Sequence, residues 1–149
     1  MPLSQLPGSV LFACTYNAIR SPMAEGLLKK LHGRRMFIDS VGVRCHEPDP
    51  FVVVVMQELG IDLSRHRAKT FDQLDDTSFD VVVTLSPEAQ HKAVEMTRTM
   101  ACEVEYWPTF DPTLAEGSRE ATLAAYREVR DQLLRRLRRR FPVPDLPEL

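Results

Sequence analysis

Apolar and polar positions recur along this chain with two periods, and the switches between them fall at residues that start or stop helices. Ser9 to Ala13 is a short apolar run behind Pro7-Gly8, the pattern of a parallel strand buried on both faces. Met36 to Val43 alternates as a second strand, Phe79 to Leu85 is a β-branched third, and Glu103 to Trp107 is a fourth, ended by Pro108. Helical spacing joins Met23, Leu27, Leu28 and Leu31 in a helix that Gly33 stops. It returns in Leu123, Tyr126, Val129, Leu133, Leu137 and Phe141, which form one stripe of a helix from Ser118 to about Arg140. Ser21-Pro22, Asp49-Pro50 and Ser86-Pro87 each read as N-cap and first-turn proline of a helix. The third of these helices runs to about Met100. Phe51 to Met56 has the propensity of a strand, but the cap at Asp49 and the stop at Gly60 predict a helix. Ile61 to Leu74 is connecting chain carrying Arg65-His66-Arg67, and a loop with Asp111-Pro112 precedes the last helix.

Strands alternating with helices predict βαβ crossovers, and so an α/β fold with a parallel sheet and helices on both faces. A chain of 149 residues without internal repeats is expected to be one domain over 1–149, with a proline-rich tail at 142–149. Net charge is −2, which gives no reason to expect a polyanionic partner. The arginines at 135, 136, 138, 139 and 140 read as a solvated helix end that complements the helix dipole, because Leu133, Leu134 and Leu137 interrupt them. No nucleic-acid or membrane partner is therefore expected. Met1 to Gly8 has neither the basic cluster nor the apolar stretch of a secretion signal. Three cysteines, Cys14, Cys45 and Cys102, cannot all pair and match no zinc spacing, so a reducing cytoplasm is the expected compartment and no metal is expected.

In a parallel sheet, ligands bind beyond the carboxyl ends of the strands, where Cys14 to Arg20 and Asp111 both fall. Five residues separate Cys14 from Arg20, enough for a loop to aim its backbone N–H groups at one centre. The following helix adds the positive end of its dipole, and a guanidinium can grip two oxygens of an anion such as phosphate. A cysteine at a strand end is equally often inert packing. A helix N-terminus and a guanidinium, however, favour thiolate over thiol, and a thiolate beneath a phosphate ester can attack phosphorus. Asp111 is then the candidate proton donor to the leaving oxygen, although Asp-Pro alone reads equally well as a turn. Ser21 has two compatible roles, as helix cap and as hydrogen-bond partner of the Cys14 sulfur.

These segments resemble the low-molecular-weight protein-tyrosine phosphatase family. The likeness covers Val10 to Cys14 with Asn17, Arg20-Ser21-Pro22-Met23-Ala24-Glu25-Gly26, Asp39-Ser40-Val41-Gly42, Gly60 to Ala68, Phe79 to Thr84 and Asp111-Pro112, in order and at similar spacing. The resemblance implies a four-stranded parallel sheet in order 2-1-3-4, Cys14 as nucleophile, Arg20 as phosphate clamp, Ser21 as partner of the thiolate and Asp111 as general acid and base. The loop residues Thr15, Tyr16, Asn17, Ala18 and Ile19 would surround the phosphate, and Ser40 and His66 would join Asn17 in holding the loop in shape. It implies no metal and no cofactor. It also implies a phosphorylated protein as partner, phosphotyrosine ahead of phosphoarginine, with inorganic phosphate as product.

The chain departs from the family pattern inside the same loop. Tyr16 stands where glycine is usual, and Ile19 replaces a second cysteine that often sits beside the arginine. Ala18 is neither the isoleucine of phosphotyrosine-acting members nor the threonine of phosphoarginine-acting ones. Thr113 replaces an aromatic residue, and the segment from Arg44 to Pro48 is short where the family places an aromatic wall, leaving His46 as a possible substitute. Two other readings share these residues. One is arsenate reduction on the same scaffold, although Ser86 stands where a relay cysteine would be expected and none follows before Cys102. The other is phosphate binding without turnover, prompted by Tyr16.

Overall fold

The four apolar runs pair side by side as one parallel sheet. In the computed structural model, which describes residues 6–75 and 78–143, these are β1 (Ser9–Cys14), β2 (Phe37–Gly42), β3 (Val81–Thr84) and β4 (Glu103–Tyr106), in the order β2-β1-β3-β4. Three helices link them, α1 (Arg20–His32), α2 (Pro50–Gln57) and α3 (Pro87–Met96), and α4 (Arg119–Arg140) follows the last strand. The period of two along β1 divides the core. Val10, Phe12 and Cys14 face α1, α2 and α4 together with Val81, Val83 and Leu85, whereas Leu11 and Ala13 join Val41 and Val82 against Ala89 and Ala93 of α3. Cys14 therefore ends the central strand on the three-helix face, paired in register with Gly42 of β2.

Local chemistry explains why the Phe51–Met56 run is a helix. The Asp49 side chain accepts from the Val52 N–H at 2.8 Å, and Pro50 occupies the first turn. Val52, Val55 and Met56 are then buried at helical spacing while Val54 is exposed. The helix ends earlier than expected, at Gln57, and the chain turns back through Gly60 at φ 75°. The first helix needs a larger correction. It starts at Arg20 with Ile19 as its N-cap and no side-chain cap, so Ser21 lies inside the first turn. The reason is that the Ser21 hydroxyl is committed elsewhere, as described below. α3 stops at Met96 instead of about Met100, where the Thr97 and Thr99 hydroxyls donate to the carbonyls of Val94 and Met96. Of the expected proline tail, residues 144–149 lie outside the described residues.

Both ends of α2 are fastened to α4. Tyr126 donates its hydroxyl to Asp49 at the N-terminal end. At the other end Glu58 accepts from Arg127 at 2.8 Å and from Arg130 at 2.7 Å, while Arg130 also donates to the Val55 carbonyl at 2.7 Å. The arginine-rich end of α4 packs as well: Arg136 lies 4.8 Å over the buried Trp107 ring and Arg140 pairs with Glu105. No helix among the described residues is long and apolar enough to cross a membrane.

Hydrogen bonds from Arg127 and then Arg130 hold the Glu58 carboxyl at about 2, below its ordinary 4.5. A carboxyl lowered on folding stabilises fully above its unfolded value, and that contribution is lost as pH falls through the folded one. Thermal unfolding followed from about pH 6 downwards is therefore expected to lose less stability in Glu58→Gln than in the unaltered protein between pH 4.5 and about 2. Parallel curves would show that this pair contributes nothing to acid stability.

Candidate active site

The loop leaving β1 turns through one left-handed residue, Asn17 at φ 53°, which is fully buried. Asparagine tolerates this conformation better than most side chains. Here every polar atom of its side chain is also engaged. Nδ2 donates to the hydroxyls of Ser21 and Ser40, each at 2.9 Å. Oδ1 accepts from the Lys69 backbone N–H at 3.0 Å and lies 3.2 Å from Nε2 of His66, which is also 3.0 Å from the Asn17 carbonyl. Ser40 donates onward to Glu25 on α1, and Lys69 pairs with Asp39 at 2.7 Å. The loop backbone is zipped to the chain after β2, where the N–H groups of Val43, Arg44 and His46 donate to the carbonyls of Cys14, Thr15 and Tyr16.

The sulfur of Cys14, 2% exposed, lies 2.9 Å from the Ser21 hydroxyl and 3.4 Å from the Ser21 backbone N–H. The Ser21 hydroxyl is thus enclosed by Cys14, Asn17 and the Val41 carbonyl, which is why it cannot cap its own helix. Thr15 is tied to α3 by its hydroxyl, which donates to Ser86, the N-cap of that helix. Arg20 is nearly buried; its guanidinium donates to the Thr109 carbonyl at 3.0 Å, and no carboxylate among the described residues forms an ion pair with it.

Cys14, Tyr16, Ala18, Ile19 and Arg20 line a cavity of about 250 Å³ together with His46, Glu47, Asp49, Asp111 and Thr113. Asp111 caps a short 3-10 turn, Pro112–Leu114, with Oδ1 accepting from the Thr113 N–H and hydroxyl. It is thus both the turn residue and a wall of the cavity, so the two readings of Asp-Pro are compatible. The structure brings Cys14, Arg20 and Asp111 to one cavity and gathers Asn17, Ser21, Ser40 and His66 into one hydrogen-bonded group beneath it.

Several supporting residues escape the sequence reading. Glu25 lies one helical turn beyond Ser21, a spacing that could have placed it on the same face. Lys69 and the Thr109 carbonyl act through backbone groups or distant pairing and leave no signal in the sequence. Gly42 is the most constrained: a Cβ there would come within 2.4 Å of the Arg44 carbonyl oxygen and 2.6 Å of the Asn17 nitrogen.

The comparisons with known proteins bear on this arrangement directly. Residues 9–141 match the family model described as low molecular weight phosphotyrosine protein phosphatase. The chain belongs to this family. Among its curated relatives, an arsenate reductase of Halalkalibacterium halodurans is 36% identical over 129 residues, covering 87% of this chain and 91% of the relative. Among solved structures, an arsenate reductase in its phosphate-binding state is 27% identical with a TM-score of 0.68, covering 88% of this chain and 94% of that one. A low molecular weight protein tyrosine phosphatase from T. tengcongensis is 28% identical with a TM-score of 0.69, covering 85% and 92%. Both chemistries thus occur among this family's relatives of the chain.

Because the atoms crowding Gly42 are backbone, Gly42→Ala can be accommodated only by moving the loop. An overpacked site of this kind costs about 1–3 kcal/mol. The substitution is expected to lower the melting temperature and, more sharply, the affinity for inorganic phosphate measured by calorimetry. Unchanged phosphate affinity would show that the loop tolerates the displacement.

Proposed function

We propose that the chain is a metal-independent phosphatase that hydrolyses phosphotyrosine-type monoesters through a cysteinyl-phosphate, in the cytoplasm and on phosphorylated proteins. The observation that carries this reading is the setting of the Cys14 sulfur, which accepts from the Ser21 backbone N–H and lies 2.9 Å from the Ser21 hydroxyl, at a cavity lined by Arg20 and Asp111. The thiolate attacks phosphorus, an S–P bond forms, and the P–O bond to the leaving group breaks as Asp111 supplies that oxygen with a proton. Asp111, now a carboxylate, takes a proton from water, whose oxygen attacks phosphorus. Inorganic phosphate leaves and the sulfur returns as thiolate, an anion that the Ser21 donors stabilise both as attacker and as leaving group. Arg20 and the N–H groups at the start of α1, which no side chain caps, face the charge of the transferring group.

Arsenate reduction relayed through internal cysteines has less support. Ser86, buried and bonded to Thr15, occupies the start of α3, and that helix contains no cysteine. Cys102 precedes β4, at the end of the sheet away from Cys14, with its thiol pushed up by burial. Phosphoarginine is favoured by one observation, the carboxylates of Glu47, Asp49 and Asp111 around the cavity, which would suit a guanidinium. Two of these are already engaged: Asp49 by Val52 and Tyr126, and Asp111 through one oxygen by Thr113. The Tyr16 and His46 rings in the cavity lining support phosphotyrosine as the first reading.

Hydrolysis of phosphotyrosine and phosphoarginine peptides measured side by side, with arsenate reduction assayed beside them using thioredoxin and small thiols, separates the three readings. Cys14→Ser is expected to abolish turnover and keep phosphate binding. Asp111→Asn should lower kcat by about 10²–10⁴ with aryl phosphates whose leaving groups need a proton. Undiminished turnover by Cys14→Ser in the presence of a chelator would overturn the mechanism, and tight phosphate binding without hydrolysis of any substrate would make the chain a binding protein.

A further inference from the structure

The cavity has an unusual wall, built from the phosphate-binding loop itself. Tyr16 is 39% exposed, yet its ring is not free. The His46 ring meets it edge-on, with centroids 5.0 Å apart at 75°, and the Arg44 guanidinium lies 5.7 Å from the Tyr16 ring centre. Arg44 is in turn held by Glu88 of α3 through two hydrogen bonds, at 2.8 and 3.1 Å. The backbone repeats the connection, since the His46 N–H donates to the Tyr16 carbonyl at 3.0 Å. Both rings line the cavity that holds Cys14, Arg20 and Asp111. A ring fixed before binding gives up little freedom on meeting a flat partner, and such pairs gain from offset or edge-on contact beyond simple burial.

We propose that Tyr16 and His46 form one composite wall that selects substrates carrying their phosphate on a flat ring, and that Arg44, braced by Glu88, is the positioning residue that holds the wall. The inference rests on the phosphatase reading and adds to it the residues that set its selectivity. The small Ala18 and the aliphatic Ile19 add apolar surface to the same cavity, whose charge comes from Arg20, Glu47, Asp49 and Asp111. The Arg44–Glu88 pair is exposed on both sides, so its loss should leave the fold intact and act only through the ring.

The test is a ratio: kcat/KM for a phosphotyrosine peptide over kcat/KM for acetyl phosphate, a substrate with no ring. Tyr16→Leu, which keeps bulk and removes the ring, is expected to lower the ratio about 2- to 12-fold, the range of a single aromatic contact. Tyr16→Phe should retain it. Glu88→Gln should lower it by less, through the KM of the peptide, and should remove a salt dependence of the ratio seen in the unaltered protein. An unchanged ratio in Tyr16→Leu, or equal losses in Tyr16→Leu and Tyr16→Phe, would overturn the proposal while leaving the phosphatase reading standing. Calorimetry on Cys14→Ser protein separates the opposite case. If the unaltered chain turns over neither substrate, but Tyr16→Leu weakens binding of the peptide more than binding of inorganic phosphate, the wall stands and the hydrolytic reading falls. Equal weakening of both would overturn the wall as well.

Discussion

One buried asparagine in a left-handed conformation sets the shape of the site. Asn17 takes a backbone geometry that costs most side chains energy, and it persists because four separate groups meet its side chain and carbonyl. Those groups come from α1, from β2 and from the connecting chain around His66 and Lys69. The loop is therefore held in one geometry by elements distant in sequence, with no ligand needed to organise it. The position of Ser21 follows from the same constraint. Its hydroxyl is drawn toward the sulfur and Asn17, so α1 begins without a side-chain cap, and the Ser21 N–H in its first turn donates to the sulfur.

The chemistry follows from how the sheet delivers these parts. Parallel strands place their carboxyl ends on one side, so the loop after β1 and the loop after β4 meet there without a long excursion of chain. Alternation along β1 turns Cys14 toward α1, the helix whose first turn supplies its hydrogen-bond donors. A shift of one residue in that strand would turn the sulfur toward α3 and away from both.

The sheet, its helices and the central residues of the site were readable because each leaves a local trace. An apolar run marked β1, alternation marked β2, and Asp49-Pro50 overrode the strand propensity of four consecutive valines. Cys14, Arg20 and Asp111 stood out by residue type and by their place at strand ends. What was misread shares one physical origin. Ser21-Pro22 carries a good capping signature, but a tertiary partner claimed the hydroxyl, and no local rule records that competition. Gly42 looked like an ordinary strand end, because its need for a missing Cβ arises from how the chain turns back at Arg44 and from a loop some two dozen residues earlier in the chain. Lys69 acts through its backbone N–H, which every residue but proline possesses.

The tie between Arg20 and the Thr109 carbonyl has a consequence for how the two rims of the cavity can diverge. Thr109 is two residues before Asp111, and its own N–H is fixed to Leu85 at 3.1 Å, just beyond Trp107, whose N–H is fixed to Thr84. The chain from strand end to Asp111 is thus measured out by three successive anchors, and an inserted residue there would carry the carbonyl that Arg20 holds and Asp111 out of step together. The opposite rim answers to a different constraint. Around His46 the backbone is zipped to the loop, while the side chains of His46 and Arg44 rest on the Tyr16 ring. Substitutions on that rim can therefore change the surface the pocket presents through Tyr16, while the backbone frame and the anchored rim opposite stay in place.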